Sequence, residues 1–295
     1  KRGIRSKRLS EESLTDTNEQ ILDNLELKEK QFLKRAAILL FHPKPEKFVT
    51  GAFIKIGFFE NDADLIYQDE IHGNLFEQIE KAIDLLFTKY IKAFISYENK
   101  INRIETYEYP KDAIREALLN AIAHKDYSGG VPIQISVYKD KIMIWNEGQL
   151  PEDWTIETLI AKHSSKPYNP DIALAFYRSG YIESWGRGIT KMTDLCVEAG
   201  LPKPTFYYKS SGIWAVFQKD ILNAEYLQTL GLNDRQVKAV LFAKDKGKIT
   251  NSEYQELNDI KKSVTATELQ DLTDKGVLVK VGSTGRGTKY ILPDK

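Results

Sequence analysis

One residue in 295 is a cysteine, Cys196. No internal disulfide and no cysteine-built zinc site can form from it, and a reducing compartment is expected. Long apolar runs are also missing. Stretches such as Ala36 to Phe41 fall far short of the roughly 18–20 residues of a membrane helix. No signal-peptide pattern opens the chain, so a soluble, cytoplasmic protein without membrane contact is expected. There is no excess of either charge, with 42 Lys+Arg against 42 Asp+Glu. That balance excludes a globally basic nucleic-acid coat and a disordered polyelectrolyte, but leaves room for one locally basic module. No Gly-x-x-x-x-Gly-Lys-Ser/Thr phosphate loop occurs, which argues against a RecA-type helicase motor. Internal repeats and low-complexity segments are absent too. Residue 1 is lysine, which reads as the start of a fragment of something longer.

What is present is an ordinary apolar fraction, 42%, enough for real cores in two domains. Residues 1–30 are polar, with Ser10 to Lys30 an acidic helical stretch, and read as a linker or tail. Residues 31–226 read as α+β. Phe32 to Phe41 and Leu75 to Tyr90 have helical period, and Gly51 to Glu60 and Asp64 to Ile71 alternate like paired strands. Ala93 to Glu98 and Ile101 to Tyr107 predict a hairpin. Lys111 to His124 is the best-patterned helix, with Ile114, Leu118 and Ile122 recurring every fourth position on one face. Strands follow at Ile133 to Tyr138 and Lys141 to Trp145, helices at Ile156 to Lys162, Pro170 to Ser179 and Ile189 to Ala199, and a hairpin at Thr205 to Lys209 and Ile213 to Gln218.

Three short signals fall in a fixed order within this region. Glu116 and Asn120 are one helical turn apart and leave the same face, with His124 one turn further on. A carboxylate there can orient or deprotonate a water, and an amide oxygen can ligate magnesium. By spacing alone, the pair also describes a solvated polar face. Asn146 and Gly148 then follow a strand ending in Ile144-Trp145, where a side-chain acceptor and a close backbone can meet a base edge. This too is an ordinary strand exit when taken alone. Last, Gly186-Arg187-Gly188-Ile189 opens a helix, and glycines before a helix N-terminus present amide N–H groups to phosphate oxygens.

Together these phrases resemble the Bergerat nucleotide-binding fold of the GHKL ATPases, among them gyrase B, MutL and histidine kinases. The closer resemblance is to the C-terminal region of RecG-like, ATP-dependent-helicase-related proteins and transcriptional regulators. It is carried by Glu116-Ala-Leu-Leu-Asn120-Ala-Ile-Ala-His124-Lys-Asp126-Tyr127, Trp145-Asn146-Glu-Gly148-Gln-Leu150-Pro151, Asn169-Pro170-Asp-Ile172-Ala173 and Glu183-Ser-Trp185-Gly186-Arg187-Gly188-Ile189. The match spans about residues 107–220. Arg2-Gly3 to Arg8 resembles the tail of the Schlafen-type AlbA-like domain that usually precedes this region. The resemblance implies a GHKL-like α/β sandwich that takes ATP and Mg2+. Glu116 would be the water-orienting base and Asn120 the magnesium ligand. Asn146 would face the adenine amino group, Gly148 would let the ring approach, and Gly186 and Gly188 would line the phosphates beside His124 and Ile189. Three departures stand out: Asn146 replaces an acidic adenine reader, Leu150 stands where a second glycine is common, and the glycine-rich lid is reduced to Asn169-Pro170. They predict weak or absent hydrolysis.

Residues 227–295 have the order helix (Asp234 to Ala243), helix (Ser252 to Leu257), helix (Ser263 to Lys275), strand, glycine-rich turn, strand, the layout of a winged helix-turn-helix. Asn233 or Asp234, Thr250 to Ser252 and Ser263 sit where N-caps belong. Residues 233–295 carry 12 Lys+Arg and 9 Asp+Glu, a local charge of +3. A DNA-binding use would put Ser263, Thr265 and Thr267 near the major groove and Lys261, Lys262, Arg286 and Lys289 on phosphates. A winged helix used for dimerisation or packing is the competing use, and a homodimer is left open. The sequence therefore points to a transcriptional regulator in which a divergent ATP-binding domain is coupled to a DNA-binding winged helix. The alternatives are a working GHKL-type ATPase acting on DNA or a partner protein, and an interaction scaffold with a degenerate pocket. A histidine kinase is disfavoured, since His72 lies at a strand exit and no dimerisation helix precedes the domain.

Overall fold

The structure is a computed structural model, and it describes residues 2–98, 102–161, 163–183, 186–219, 222, 224–282 and 287–293. The chain divides into two compact units, residues 1–219 and 220–295. Each has its own apolar core. No helix among the described residues is long and apolar enough to cross a membrane.

The first unit is built on a six-stranded mixed sheet. Its strands lie in the order Leu65–Ile71, Ile54–Phe59, Ile133–Val137, Lys141–Glu147, Gly212–Gln218 and Thr205–Lys209. Ile54–Phe59 runs parallel to Ile133–Val137, and every other pairing in this sheet is antiparallel. Alternation decides the faces. Ile54, Ile56, Ile133, Ile135, Val137, Ile142 and Ile144 are buried in the main core, whereas Gln134 is exposed and Lys55, Ser136 and Met143 are half-buried. The buried residues pack with Ile79, Ala82 and Ile83 of helix Leu75–Leu85 and with Ile114, Leu118 and Ile122 of helix Lys111–His124. Helix Lys111–His124 starts on Pro110, whose fixed φ suits a helix entry, and packs against helix Gly188–Glu198.

Several sequence expectations need adjustment. Ser10 to Lys30 is not one helical stretch. It holds a 3-10 turn at Glu11–Leu14, a helix at Asn18–Asn24 and a short hairpin of Lys28–Glu29 with Phe32–Leu33. The helix expected from Phe32 begins at Arg35. The turn Leu86–Tyr90 widens to a π-turn, which brings the Tyr90 hydroxyl to Asp69 Oδ2 at 2.6 Å and to the Ile56 carbonyl at 3.1 Å.

The second unit contains helices Ala224–Thr229, Asp234–Lys246, Asn251–Asn258 and Lys262–Asp274, then a hairpin of Val279–Val281 with Lys289–Ile291. Asn233 and Thr250 cap their helices through reciprocal capping boxes with Gln236 and Glu253. Ser263 is not an N-cap, because the helix starts one residue earlier and Lys261 holds the cap position. Thr265, expected near a DNA groove, is fully buried and donates its hydroxyl to the Lys261 carbonyl at 3.2 Å. It belongs to the core and cannot meet a base. Ser263 and Thr267 stay exposed, as do Lys261, Lys262 and Lys289, while Arg286 lies outside the described residues.

The buried Glu268 carboxylate ties these helices together. It accepts from Arg235 Nη2 at 2.5 Å, from Asn233 Nδ2 at 2.8 Å and from the Tyr254 hydroxyl at 2.8 Å. The hydrogen bonds and charge of Arg235 hold the Glu268 carboxyl below the usual carboxylate range. Because its folded-state pKa is depressed, Glu268 contributes stability above the ordinary glutamate pKa of about 4.3 and loses it as pH falls through the lower folded value. Glu268→Ala strips three donors of their acceptor and is expected to cost the second unit about 3 kcal/mol at pH 7. Urea unfolding at pH 7 and pH 3 checks this; an equal loss at both pH values would contradict it.

Candidate functional site

Three segments far apart in sequence line one pocket in the first unit. Helix Lys111–His124 supplies Glu116, Asn120 and His124, strand Lys141–Glu147 supplies Asn146, and the start of helix Gly188–Glu198 supplies Gly186, Gly188 and Ile189. The apolar wall comprises Ile144, Leu150, Met192, Ile213 and Ala215. Burial of Ile114, Leu118 and Ile122 fixes the rotation of the first helix. The polar stripe two positions away must then face outward from the core, into the pocket.

Gly188 faces the Glu116–Asn120 pair directly. A Cβ built on it would lie 2.5 Å from Glu116 Oε1 and 3.1 Å from Asn120 Nδ2. Any side chain there would displace the pair the sequence singled out. Burial pushes the Glu116 carboxyl up, and the charge of Lys191, itself 4.0 Å from Glu183, offsets part of that shift. A desolvated carboxyl with a raised pKa is a competent proton acceptor. Asn146 is 3% exposed and donates its amide to the Glu147 carbonyl at 3.1 Å. That bond orients the amide.

Gly148 serves a different purpose from the one expected. It does not line the pocket; its missing side chain makes room for the chain at the end of helix Lys111–His124, since a Cβ would stand 2.7 Å from the His124 carbonyl oxygen. Around the same helix end, Asp126 N donates to the Glu147 carbonyl at 2.8 Å. The Asn169 amide donates to the carbonyls of Ala123 at 3.1 Å and Lys125 at 2.7 Å. Asn169 therefore caps the last carbonyls of the helix. It does not act as a remnant lid.

The covering wall is the stretch Gln149 to Pro167, which contributes Leu150, Trp154, His163, Ser165 and Lys166 to the lining. The Trp154 and His163 rings meet edge-on at 4.4 Å between centroids, and Lys166 Nζ lies 5.9 Å from the Trp154 ring. Sequence reasoning missed these residues, and Arg187 as a lining residue as well. The cluster Trp154, His163 and Lys166 has no period, and nothing in its local composition sets it apart. Among the described residues no group of three His, Cys, Asp or Glu converges to hold a metal by itself. A divalent ion would have to share Asn120 with oxygens of a bound ligand.

Comparison with known proteins fits this geometry. Residues 130–217 match the family model described as "Putative ATP-dependent DNA helicase recG C-terminal". Over those residues the chain is thus similar to RecG-related C-terminal domains. Among solved structures, the crystal structure of the DIP2311 protein from Corynebacterium diphtheriae is similar, with a TM-score of 0.59 and 18% identity. The likeness covers 95% of this chain and 58% of that one, so this chain spans little more than half of the larger protein. At that identity the likeness is one of fold. No curated protein matches the chain.

His124 is held down to about 4, first by burial and then by the charge of His163. It is therefore a neutral imidazole near neutral pH. An unfolded histidine titrates near 6.5, so the unfolded chain takes up this proton first. Stability should fall as pH drops from about 6.5 toward 4, by on the order of 3 kcal/mol for this group. Proton NMR of the His124 ring is expected to show no titration between pH 5.5 and 8; a midpoint near 6.5 would overturn the assignment.

Proposed function

We propose that the first unit binds ATP with Mg2+ in this pocket and that the second unit is a winged helix-turn-helix that binds DNA, the whole acting as a transcriptional regulator. The observation that carries the nucleotide reading is the convergence of Glu116, Asn120, Asn146 and the Gly186–Gly188 turn on one pocket. The match of residues 130–217 to a RecG-related, ATP-dependent family supports it. The chemistry of the walls also fits. Ile144, Leu150, Ile213 and Ala215 offer an apolar slot for a base, and the oriented Asn146 amide offers its oxygen to an adenine amino group. Lys166, Arg187 and the start of helix Gly188–Glu198 offer positive potential to phosphates. Asn120 would hold Mg2+ together with phosphate oxygens, and the ion would supply neutralising charge there.

Glu116, half-buried beside Asn120, favours a second reading in which the same site turns ATP over. A neutral reader at Asn146 and a covering wall that is not glycine-rich argue for slow or absent hydrolysis. In the second unit, exposed Lys261, Lys262 and Lys289 near the start of helix Lys262–Asp274 and on the hairpin support phosphate contact, and exposed Ser263 and Thr267 support base contact.

Mg-ATP is expected to raise the unfolding temperature of the chain, since a ligand that binds only the native state stabilises it. Asn120→Ala should remove the magnesium dependence, and Gly188→Ala should weaken binding by about tenfold or more, about 1.4 kcal/mol. Calorimetry that finds no nucleotide binding at millimolar concentration would end this reading. For the second unit, Lys261→Ala and Lys289→Ala should each weaken binding to random duplex and lower the salt slope by about one. No electrostatic binding at low salt would leave the helices and hairpin as a packing or dimerisation element.

A further inference from the structure

The segment Arg2–Leu9 lies outside the pocket but grips the turn that leads to it. Helix Arg2–Arg5 sits against the end of helix Pro170–Arg178, and Gly3 is buried there because a Cβ would overlap the Arg178 carbonyl oxygen. One terminal nitrogen of Arg8 donates to the Tyr177 carbonyl at 2.8 Å and also to the Ile182 carbonyl. Its guanidinium lies 4.5 Å from the Tyr177 ring centroid. Arg2 lies 4.3 Å from the Tyr181 centroid and pairs with Glu80 at 3.2 Å. Ser6 Oγ stands 2.8 Å from where a Cβ on Gly180 would be, and Gly180 has φ +75°. Arg115 also lies over the Tyr181 ring at 4.9 Å and reaches Glu80 at 3.5 Å.

The turn held in this way ends at the pocket. Ile182 and Glu183 line it, and Gly186 follows four residues after Ile182. Arg115 is the chain neighbour of Glu116. Arg8 thus bridges the two ends of the turn Tyr177–Ile182 from about 170 residues away in sequence. The guanidinium also stacks on the Tyr177 ring at 4.5 Å, which holds its donor nitrogen between the two carbonyls, and an ammonium on a flexible stem lacks that planar stacking.

We propose that Arg8 is a positioning residue for the pocket: by bridging the Tyr177 and Ile182 carbonyls it fixes the turn from which the Gly186–Gly188 segment departs. Docking of Arg2–Leu9 and occupancy of the phosphate side are thereby linked, and such linkage is reciprocal. The proposal rests on the nucleotide reading above. It places the effect on one end of the ligand only. The base slot of Ile144, Leu150, Ile213 and Ala215 takes no residue from Arg2–Leu9 or from the turn Tyr177–Ile182, whereas a turn freed from Arg8 must be ordered when phosphates bind.

The test compares the full chain with Arg8→Ala and Arg8→Lys, titrating Mg-ATP directly and adenosine by displacement of a fluorescent adenine nucleotide. Arg8→Ala should weaken Mg-ATP by about tenfold, the scale of one lost charge-assisted hydrogen bond. Adenosine should stay within about twofold, on the argument that its slot is untouched. Arg8→Lys, which keeps the charge, should recover less than half of the loss. A fall of equal size for both ligands would reduce Arg8 to a general stabilising residue and overturn the proposal, and so would no change for either. If Arg8→Ala does not fold, the same comparison made on Arg8→Lys decides. A parent chain that binds neither ligand refutes the nucleotide reading, and the proposal falls with it.

Discussion

The site depends on how helix Lys111–His124 is clamped between the sheet and helix Gly188–Glu198. Its inner face is wholly apolar, with Ile114, Leu118 and Ile122 at 0% exposure. At roughly 25 cal/mol per Å2 the burial of three such side chains contributes several kcal/mol. Rotating the helix by even one residue would expose them. The orientation of Glu116, Asn120 and His124 is thus an indirect product of the core, and the pocket inherits its precision from packing. Gly188 completes the constraint from the other side, since a Cβ there would press on the Glu116 carboxylate and the Asn120 amide.

The parts of the fold that were legible in the sequence are those with a period. Helix Lys111–His124 could be read with about these bounds, because Pro110 marks its start and Ile114, Leu118 and Ile122 repeat at every fourth position. The strands around Lys139-Asp140 and the hairpin Thr205–Lys209 with Gly212–Gln218 were equally plain. The acidic stretch after Ser10 misled, because charge content imitates a solvated helix even where the chain turns three times within 20 residues. Thr265 misled for another reason. A threonine in a polar run looks exposed, but helical phase places it on the side of Leu269 and Leu272, and its hydroxyl can be satisfied by the carbonyl four residues back.

Within the candidate site, the lining residues set by helix and strand geometry could be read from spacing. The Trp154, His163 and Lys166 wall could not. Those side chains come together through a path with no repeating pattern, and only the structure places them in the same pocket as Asn120. Asn169 and Gly148 carry the reverse lesson. Both belong to phrases that resemble a nucleotide-binding family, yet here they secure the C-terminal end of the helix that carries Glu116. A motif can mark the site faithfully while some of its residues act one layer behind it.

The single parallel pairing in the main sheet has consequences for the way the chain comes off the ribosome. Ile54 registers with Ile133, closing a loop of about 80 residues. The strand beyond Lys141–Glu147 arrives only with residues Gly212–Gln218. The sheet is therefore incomplete until Gln218 has been synthesised, and the early hairpin Ile54–Phe59 with Leu65–Ile71 must wait with one edge unpaired. Such high contact order predicts slow folding and a nascent intermediate that chaperones would recognise. The 220–295 unit, built from local helical contacts, emerges after the sheet is complete and has the topology to fold faster.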